Sequence, residues 1–260
     1  MIIGFDIGNT STTAGVYRED ATVPEYTFRF PTIKTDGPDE LSRNVVCGIA
    51  RHGAHEAHLR VSGFAFSSVA PEINSAYHEM ARSTFETNAL EITCRSSLNF
   101  IIRYDDPEQL GVDRIVNAAA VFHEYGGGNI VVDIGTAVTF CVLLEDGVFD
   151  GGIIAPGVGT AIAALAERAS RLPEVPFERP DRIAARDTVN ALKSGFFYGW
   201  LSLAEGIIGR IEAEYGRTFG VILTGGYAGA VADHLSHSFL LDILLPMKGI
   251  KIVYDMNRKG

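Results

Sequence analysis

One short pattern occurs twice in this chain of 260 residues, about half a chain apart. Gly4-Phe-Asp-Ile-Gly-Asn-Thr10 is echoed by Val131-Val-Asp-Ile-Gly-Thr-Ala137, and the shared Asp-Ile-Gly sets Asp6 and Asp133 127 positions apart. Each copy opens with an apolar strand, passes through small and hydroxyl residues, and enters a second apolar segment, Ala14 to Tyr17 or Phe140 to Leu144. Those segments end at acidic turns, Glu19-Asp20 and Glu145-Asp146. Two strands joined by a polar turn are the simplest form of each copy. A repeat at this spacing predicts two related domains, an N-terminal one over 1–115 and a C-terminal one over 116–260, in a duplicated α/β architecture.

The remaining segments fit that frame. A strand is expected at Tyr26 to Phe30, a helix from about Asp39 to Arg51, a strand at Leu59 to Phe66 and a helix after Pro71, where proline suits the first turn. Alternation of strands and helices predicts parallel-sheet packing. After the second copy, Gly157 to Thr160 leads into a helix whose Ile162, Leu165, Ala169 and Leu172 share a face, with Pro173 as its stop. A Pro-rich, charged loop follows to Arg186. A long helix then starts near Asp187 or Thr188, either of which could cap it, and runs to about Tyr215. Its main apolar stripe is Leu192, Phe196, Trp200, Leu203, Ile207 and Ile211, and Gly195 and Gly199 give a second flat surface. Burial between subunits and burial within one core are equally compatible with that pattern.

Composition excludes several function classes. The net charge of −10, with no run of Lys or Arg, disfavours nucleic acid as a partner. Cys47, Cys94 and Cys141 are scattered and lack the spacing of metal pairs, as expected for reduced thiols in a cytoplasmic protein. The segment from Met1 already reads as a strand, so no export signal is expected. Phe239 to Leu245 is interrupted by Asp242 and too short for a bilayer, so no membrane association is expected. His52, His55 and His58 lack the partners of a zinc site and are expected to be solvated.

Several motifs carry chemistry. Asp6-Ile7-Gly8-Asn9-Thr10 ends a buried strand with a carboxylate and a glycine, and Thr10, Thr12 and Thr13 offer hydroxyls. Such a turn can cradle phosphates, with the carboxylate holding hydrated magnesium beside them. A lone copy would be an ordinary tight turn, but two copies can grip a nucleotide from both sides of a cleft. Asp133 and Thr136 thereby become candidates for cation and phosphate contacts. Val221-Ile-Leu-Thr-Gly-Gly226 is an apolar strand ending in two glycines, before a small-residue helix at about Ala228 to Leu235. The glycines would let a base or ribose lie on the backbone. No Gly-x-x-x-x-Gly-Lys-Ser/Thr occurs, which excludes a P-loop. Gly111-Val112-Asp113-Arg114 opens a helix that stops at Gly126 to Gly128. The helix dipole and Arg114 are expected to keep Asp113 ionised, able to accept a hydroxyl proton.

In their order along nearly the whole chain, Asp6 to Thr13, Ser67-Ser-Val-Ala-Pro71, Gly111 to Arg114, Asp133-Ile-Gly-Thr136, Gly151-Gly-Ile-Ile-Ala-Pro-Gly157 and Thr224-Gly-Gly226 resemble the type III pantothenate kinases. The resemblance implies duplicated acetate-kinase/actin-like (ribonuclease H-like) domains with a nucleotide cleft between them. It implies ATP-dependent phosphorylation of pantothenate to 4'-phosphopantothenate, the first step of coenzyme A synthesis, by a homodimer. Implied cofactors are ATP, magnesium, and potassium or ammonium. By position, Asp6, Ile7, Gly8, Asn9, Thr10, Ser11, Thr12 and Thr13 look like the ATP phosphate segment, with Asp6 also at the metal. Thr136 looks like a further ATP contact, Asp133 like the monovalent-cation ligand and Asp113 like the general base. Tyr104, Gly111, Val112, Asp113 and Arg114 look like pantothenate contacts, joined by Thr188 from the other subunit. Cys141 departs from an aspartate often found there, and Ala185 and Asp187 depart from glycine and asparagine near the pantothenate lid. The alternatives are a non-catalytic regulatory protein of the same fold, or another small-molecule kinase of the superfamily. The intact Asp6, Asp113, Asp133 and Thr136 favour an enzyme.

Overall fold

The computed structural model describes residues 1–52 and 60–258, and the chain forms two compact units. The first comprises Met1–Tyr125 and Leu244–Gly260, the second Gly126–Ile243. His55 and His58 lie outside the described residues.

The first unit begins with β1 (Ile2–Ile7), β2 (Ser11–Tyr17) and β3 (Tyr26–Pro31), followed by α1 (Pro38–Ala50) and β4 (Gly63–Ser68). A 3-10 turn at Pro71–Ile73 runs into α2 (Asn74–Ser83), then β5 (Ala89–Glu91), β6 (Ile101–Ile102) and α3 (Val112–Glu124). The sheet order is β3-β2-β1-β4-β5. β1, β2 and β3 form an antiparallel meander, whereas β4 and β5 run parallel to β1. The parallel packing expected from alternation holds for β4 and β5, and the two-strand hairpin expected of the repeat holds for β1 and β2. Short turns at 8–10 and 18–25 leave no room for the crossover a parallel pair needs. Period-two alternation sends Ile3, Phe5, Ile7, Ala14, Val16, Phe64 and Phe66 to one face. There they form a core with Leu41, Val45 and Ile49 of α1 and Tyr77 and Met80 of α2. Each such large side chain, fully buried, contributes about 1.5–3 kcal/mol.

The second unit repeats the plan with β7 (Asn129–Ile134), β8 (Ala137–Leu143), β9 (Val148–Pro156), α4 (Val158–Arg168), α5 (Thr188–Tyr215), β10 (Gly220–Thr224), α6 (Ala228–Ala232) and β11 (Phe239–Leu241). Its strands lie in the order β9-β8-β7-β10-β11, the same succession as in the first unit, with β7–β8–β9 antiparallel and β10 and β11 parallel to β7. β1 and β7 even share one burial pattern, broken only at Asp6 and Asp133. Ile130, Val132, Ile134, Phe140 and Val142 build this core with Ala204, Ile208 and Ile211 of α5. The chain then returns to the first unit as α7 (Leu245–Asn257).

Three sequence expectations shift. The division expected at 115/116 falls instead after Tyr125, because the apolar run of α3 packs against α7 in the first unit. The Tyr17 hydroxyl donates to Met247 O at 2.7 Å, and Lys248 pairs with Glu124 at 2.7 Å, tying that return in place. α4 stops at Arg168 rather than reaching Pro173, since Leu165 stays 38% exposed and little burial rewards continuation. In α5 the buried stripe is Phe197, Ala204, Ile208 and Ile211, whereas Leu192, Phe196, Trp200, Leu203 and Ile207 are only half-buried. Two apolar faces on one helix make the phase ambiguous from periodicity alone.

Candidate active site

Asp6 points away from the core because its neighbours Phe5 and Ile7 point into it. Register builds a polar row outward from it across four strands. Asp6 pairs with Thr13 on β2, Thr13 with Arg29 on β3, and Asp6 with Ser67 on β4. Ser67 Oγ donates to Asp6 Oδ1 at 3.0 Å. Arg29 Nε donates to Ser11 Oγ at 2.8 Å, and Nη2 reaches the same oxygen. Burial pushes the Asp6 carboxyl up to about 6. Ser67 and Arg29 pull it down and the Asp113 charge pushes it further up, all by less than the burial.

The turn that follows is closed by Gly8 N–H donating to Ser11 O at 3.1 Å, and it presents Asn9 and Thr10 to solvent. Thr12 behaves differently from Thr10 and Thr13. It lies on the core side of β2, fully buried, with its hydroxyl 2.9 Å from that of Thr32 and receiving a longer bond from Tyr77. Its hydroxyl is thus committed inward, as is the side chain of Ile7. These two residues can offer a ligand only backbone groups.

Asp113 sits in the first turn of α3, after Gly111 as N-cap. Its carboxylate is folded back over the helix start, accepting from the backbone of Arg114 and of Asp113 itself. Glycine at 111 leaves room for this placement of the carboxylate, since a methyl there would lie 2.5 Å from Asp113 Oδ1 and the carboxylate would have to shift. Burial raises the Asp113 pKa by more than those amides and the Arg114 charge lower it. The helix start and Arg114 act in the expected direction, but the net shift is upward because the half-buried carboxylate loses more hydration than they return. Val112 opens the same turn, and the buried Arg114 lies with its guanidinium carbon 5.8 Å from the Tyr104 ring centroid. Gly111 to Arg114, Tyr104 and Asp6 thus belong to one unit, with Asp113 close enough for its charge to raise the proton affinity of Asp6.

The second hairpin repeats the row. Asp133 pairs with Thr139, Thr139 with Ile154, and Asp133 with Thr224. Its turn is braced from both sides: Tyr227 N donates to Ile134 O at 3.0 Å, while Gly157 N and Thr160 Oγ1 donate to Thr136 O at 3.1 and 2.8 Å. Thr136 is exposed at the tip. Gly225, at φ +95°, approaches so closely that a methyl would lie 2.4 Å from Asp133 Oδ1. Thr224 is fully buried and its hydroxyl has no hydrogen-bond partner among the described residues. Cys141 lies on the same face of β8 as Thr139, buried, two residues further from the turn.

Thr188 begins α5 and is exposed. Asp187 caps that helix through Asn190 N at 2.9 Å, which holds its carboxyl below the usual range. Among the described residues no group of three or more His, Cys, Asp and Glu could cage a metal. The Asp6 surroundings instead suit a hydrated magnesium ion, which takes one or two carboxylates and fills its shell with water and phosphate. Around Asp133, the unpartnered Thr224 hydroxyl and the nearby backbone suit a monovalent cation held by neutral oxygens. Arg29 was not singled out in sequence, and Ser67 and Thr224 stood only within quoted motifs, with no role given to their hydroxyls. Their signal is cross-strand register, which no local pattern carries.

The chain matches the family model described as type III pantothenate kinase over residues 2–210. A type III pantothenate kinase of Dehalococcoides mccartyi is 34% identical over 261 aligned residues, covering 99% of this chain and 98% of its own. One from Brevibacillus brevis is 36% identical over 258, covering 99% and 100%. Among solved structures, a Campylobacter jejuni protein with a provisional description as a Baf family transcriptional activator aligns at TM-score 0.62, 19% identity and 98% coverage of both chains. The ethanolamine utilization protein EutJ of Carboxydothermus hydrogenoformans aligns at TM-score 0.56 and 16% identity, covering 97% of this chain and 89% of its own. These structures establish the shared duplicated, actin-like fold. No helix among the described residues is long and apolar enough to cross a membrane.

Proposed function

This chain belongs to the type III pantothenate kinase family, and from that premise we propose that it transfers the γ-phosphoryl group of ATP to the primary hydroxyl of pantothenate, giving 4'-phosphopantothenate for coenzyme A synthesis. The observation that carries the reading is the full-length match to such kinases together with an unbroken set of Asp6, Asp113, Asp133 and Thr136.

The first hairpin, through the Gly8 to Ser11 turn and Thr13, cradles the phosphates. Asp6 would hold magnesium, which would supply charge neutralisation for the nucleotide phosphates. Asp113 orients the substrate hydroxyl and accepts its proton as the oxygen–phosphorus bond forms and the bond to the ADP oxygen breaks. A raised proton affinity suits that role, since a base works best when its pKa approaches the working pH. Tyr104, Gly111, Val112 and Arg114 position pantothenate, Arg114 supplying charge to an anionic substrate. In the second unit Asp133 holds potassium or ammonium and Thr136 contacts ATP. The protein works as a cytoplasmic homodimer, with Thr188 reaching the partner's substrate and the half-buried stripe of α5 as the contact.

The test is mass detection of 4'-phosphopantothenate from purified protein with ATP, magnesium and potassium. Nucleotide binding with no phosphorylated product would exclude the reading. Sedimentation at micromolar concentration tests the dimer, and a monomer would remove the role given to Thr188.

A further inference from the structure

The two units offer an internal control that isolates one side chain. The polar row of the first runs Arg29, Thr13, Asp6, Ser67, and that of the second runs Ile154, Thr139, Asp133, Thr224. Three of the four places keep their chemistry: hydroxyl, carboxylate, hydroxyl. The fourth exchanges an exposed guanidinium for an isoleucine that is 64% exposed. Fold therefore asks for no cation at that place, since the second sheet forms with the same order and register without one.

Arg29 makes no ion pair among the described residues, although the chain carries 32 Asp and Glu against 22 Lys and Arg. It spends its hydrogen bonds on Ser11, within the turn segment, and so is aimed along the sheet toward the turn rather than into solvent. Its charge is felt at Asp6. Asp6 and Asp113 together repel any phosphate brought to this face, and a guanidinium two strands away offsets that repulsion.

We propose that Arg29 is a phosphate-binding residue of the first unit, held by Ser11 so that its planar fork meets the terminal phosphates of the bound nucleotide. The proposal rests on the nucleotide-binding part of the reading above and not on the identity of the acceptor. A guanidinium offers two parallel donors to phosphate oxygens, and a hydrogen bond to a charged group contributes about 1.5–3 kcal/mol. The expected loss on removing it is accordingly about 10- to 100-fold in ATP affinity.

The experiment is calorimetric titration of the full-length protein, without pantothenate, with magnesium-ATP and with AMP, for wild type, Arg29→Gln and Arg29→Lys. The expected result is a fall of about 10-fold or more in the ATP-to-AMP affinity ratio for Arg29→Gln, with AMP affinity unchanged and partial recovery in Arg29→Lys. An unchanged ratio overturns the proposal. So does a parallel loss of both ligands, which marks a structural role. A protein that shows the Arg29-dependent ratio yet makes no phosphopantothenate upholds this proposal while excluding pantothenate as the acceptor.

Discussion

The two hairpins share an Asp-Ile-Gly turn, a sheet order and a cross-strand row, yet their carboxylates live in different company. Asp6 receives a hydrogen bond from Ser67, feels Arg29, and has a second carboxylate, Asp113, nearby. Asp133 has Gly225 pressed against it and the unpartnered hydroxyl of Thr224 beside it in register. Duplication supplied one scaffold twice, and divergence of a few flanking side chains assigned each copy its own task. On the proposed reading the first hairpin would serve phosphates, a divalent ion and a base, and the second a monovalent cation beside Asp133.

Breaking the first unit at its base should have the largest effect. Asp113→Asn is expected to lower kcat by about 10²- to 10⁴-fold while leaving magnesium-ATP affinity within a few-fold. Steady-state turnover and calorimetry check this, and retained turnover would remove Asp113 as the base. Asp6→Asn should also abolish turnover, but with a gain elsewhere. The folded pKa of Asp6, about 6, lies above its unfolded value of 3.8, so ionising it opposes folding. That penalty is absent below 3.8, grows as pH rises toward 6 and is complete above it. Asp6→Asn should therefore stabilise the nucleotide-free protein by about 1–3 kcal/mol at pH 7.5, with the gain vanishing near pH 4. Denaturant unfolding at both values decides it, and a pH-independent difference would contradict the burial argument.

The next comparison sets Ser67 against Thr224. Ser67→Ala removes a made hydrogen bond and should cost about 1 kcal/mol, whereas Thr224→Val removes an unmade one and should be neutral or stabilising by up to about 1 kcal/mol without ligands. Thermal unfolding of both variants sharpens the contrast, and equal losses would erase it. The smallest effect is at Asp187, whose N-cap bond to Asn190 should contribute about 0.5–2 kcal/mol. Asp187→Ala measured by denaturant unfolding checks that the departure from asparagine keeps a working cap, and no loss would refute it.

Much of this was legible in the sequence because it is local or periodic. The repeated turn, the strand alternation around Asp6 and Asp133, and the glycine that lets Asp113 fold over its helix all leave short-range marks. Thr12 shows the limit of reading composition without phase: a hydroxyl-rich run promised three ligands, but alternation sends the middle one into the core. Arg29, and the place of the Thr224 hydroxyl beside Asp133, were not legible for a different reason. Each gains its meaning from strands separated by intervening sequence, so only the register reveals what it faces. The upward shift of the Asp113 pKa was not legible because desolvation is a tertiary property, whereas the helix dipole and the neighbouring arginine, which act downward, can be read from the sequence.

The most direct test of the division of labour between the hairpins is pantothenate turnover titrated separately with magnesium and with potassium, for wild type and for the conservative variants Asp6→Glu and Asp133→Glu. Asp6→Glu should shift the magnesium midpoint with potassium dependence intact, and Asp133→Glu should shift the potassium midpoint with magnesium dependence intact. Exchanged or identical shifts in the two variants would contradict the account.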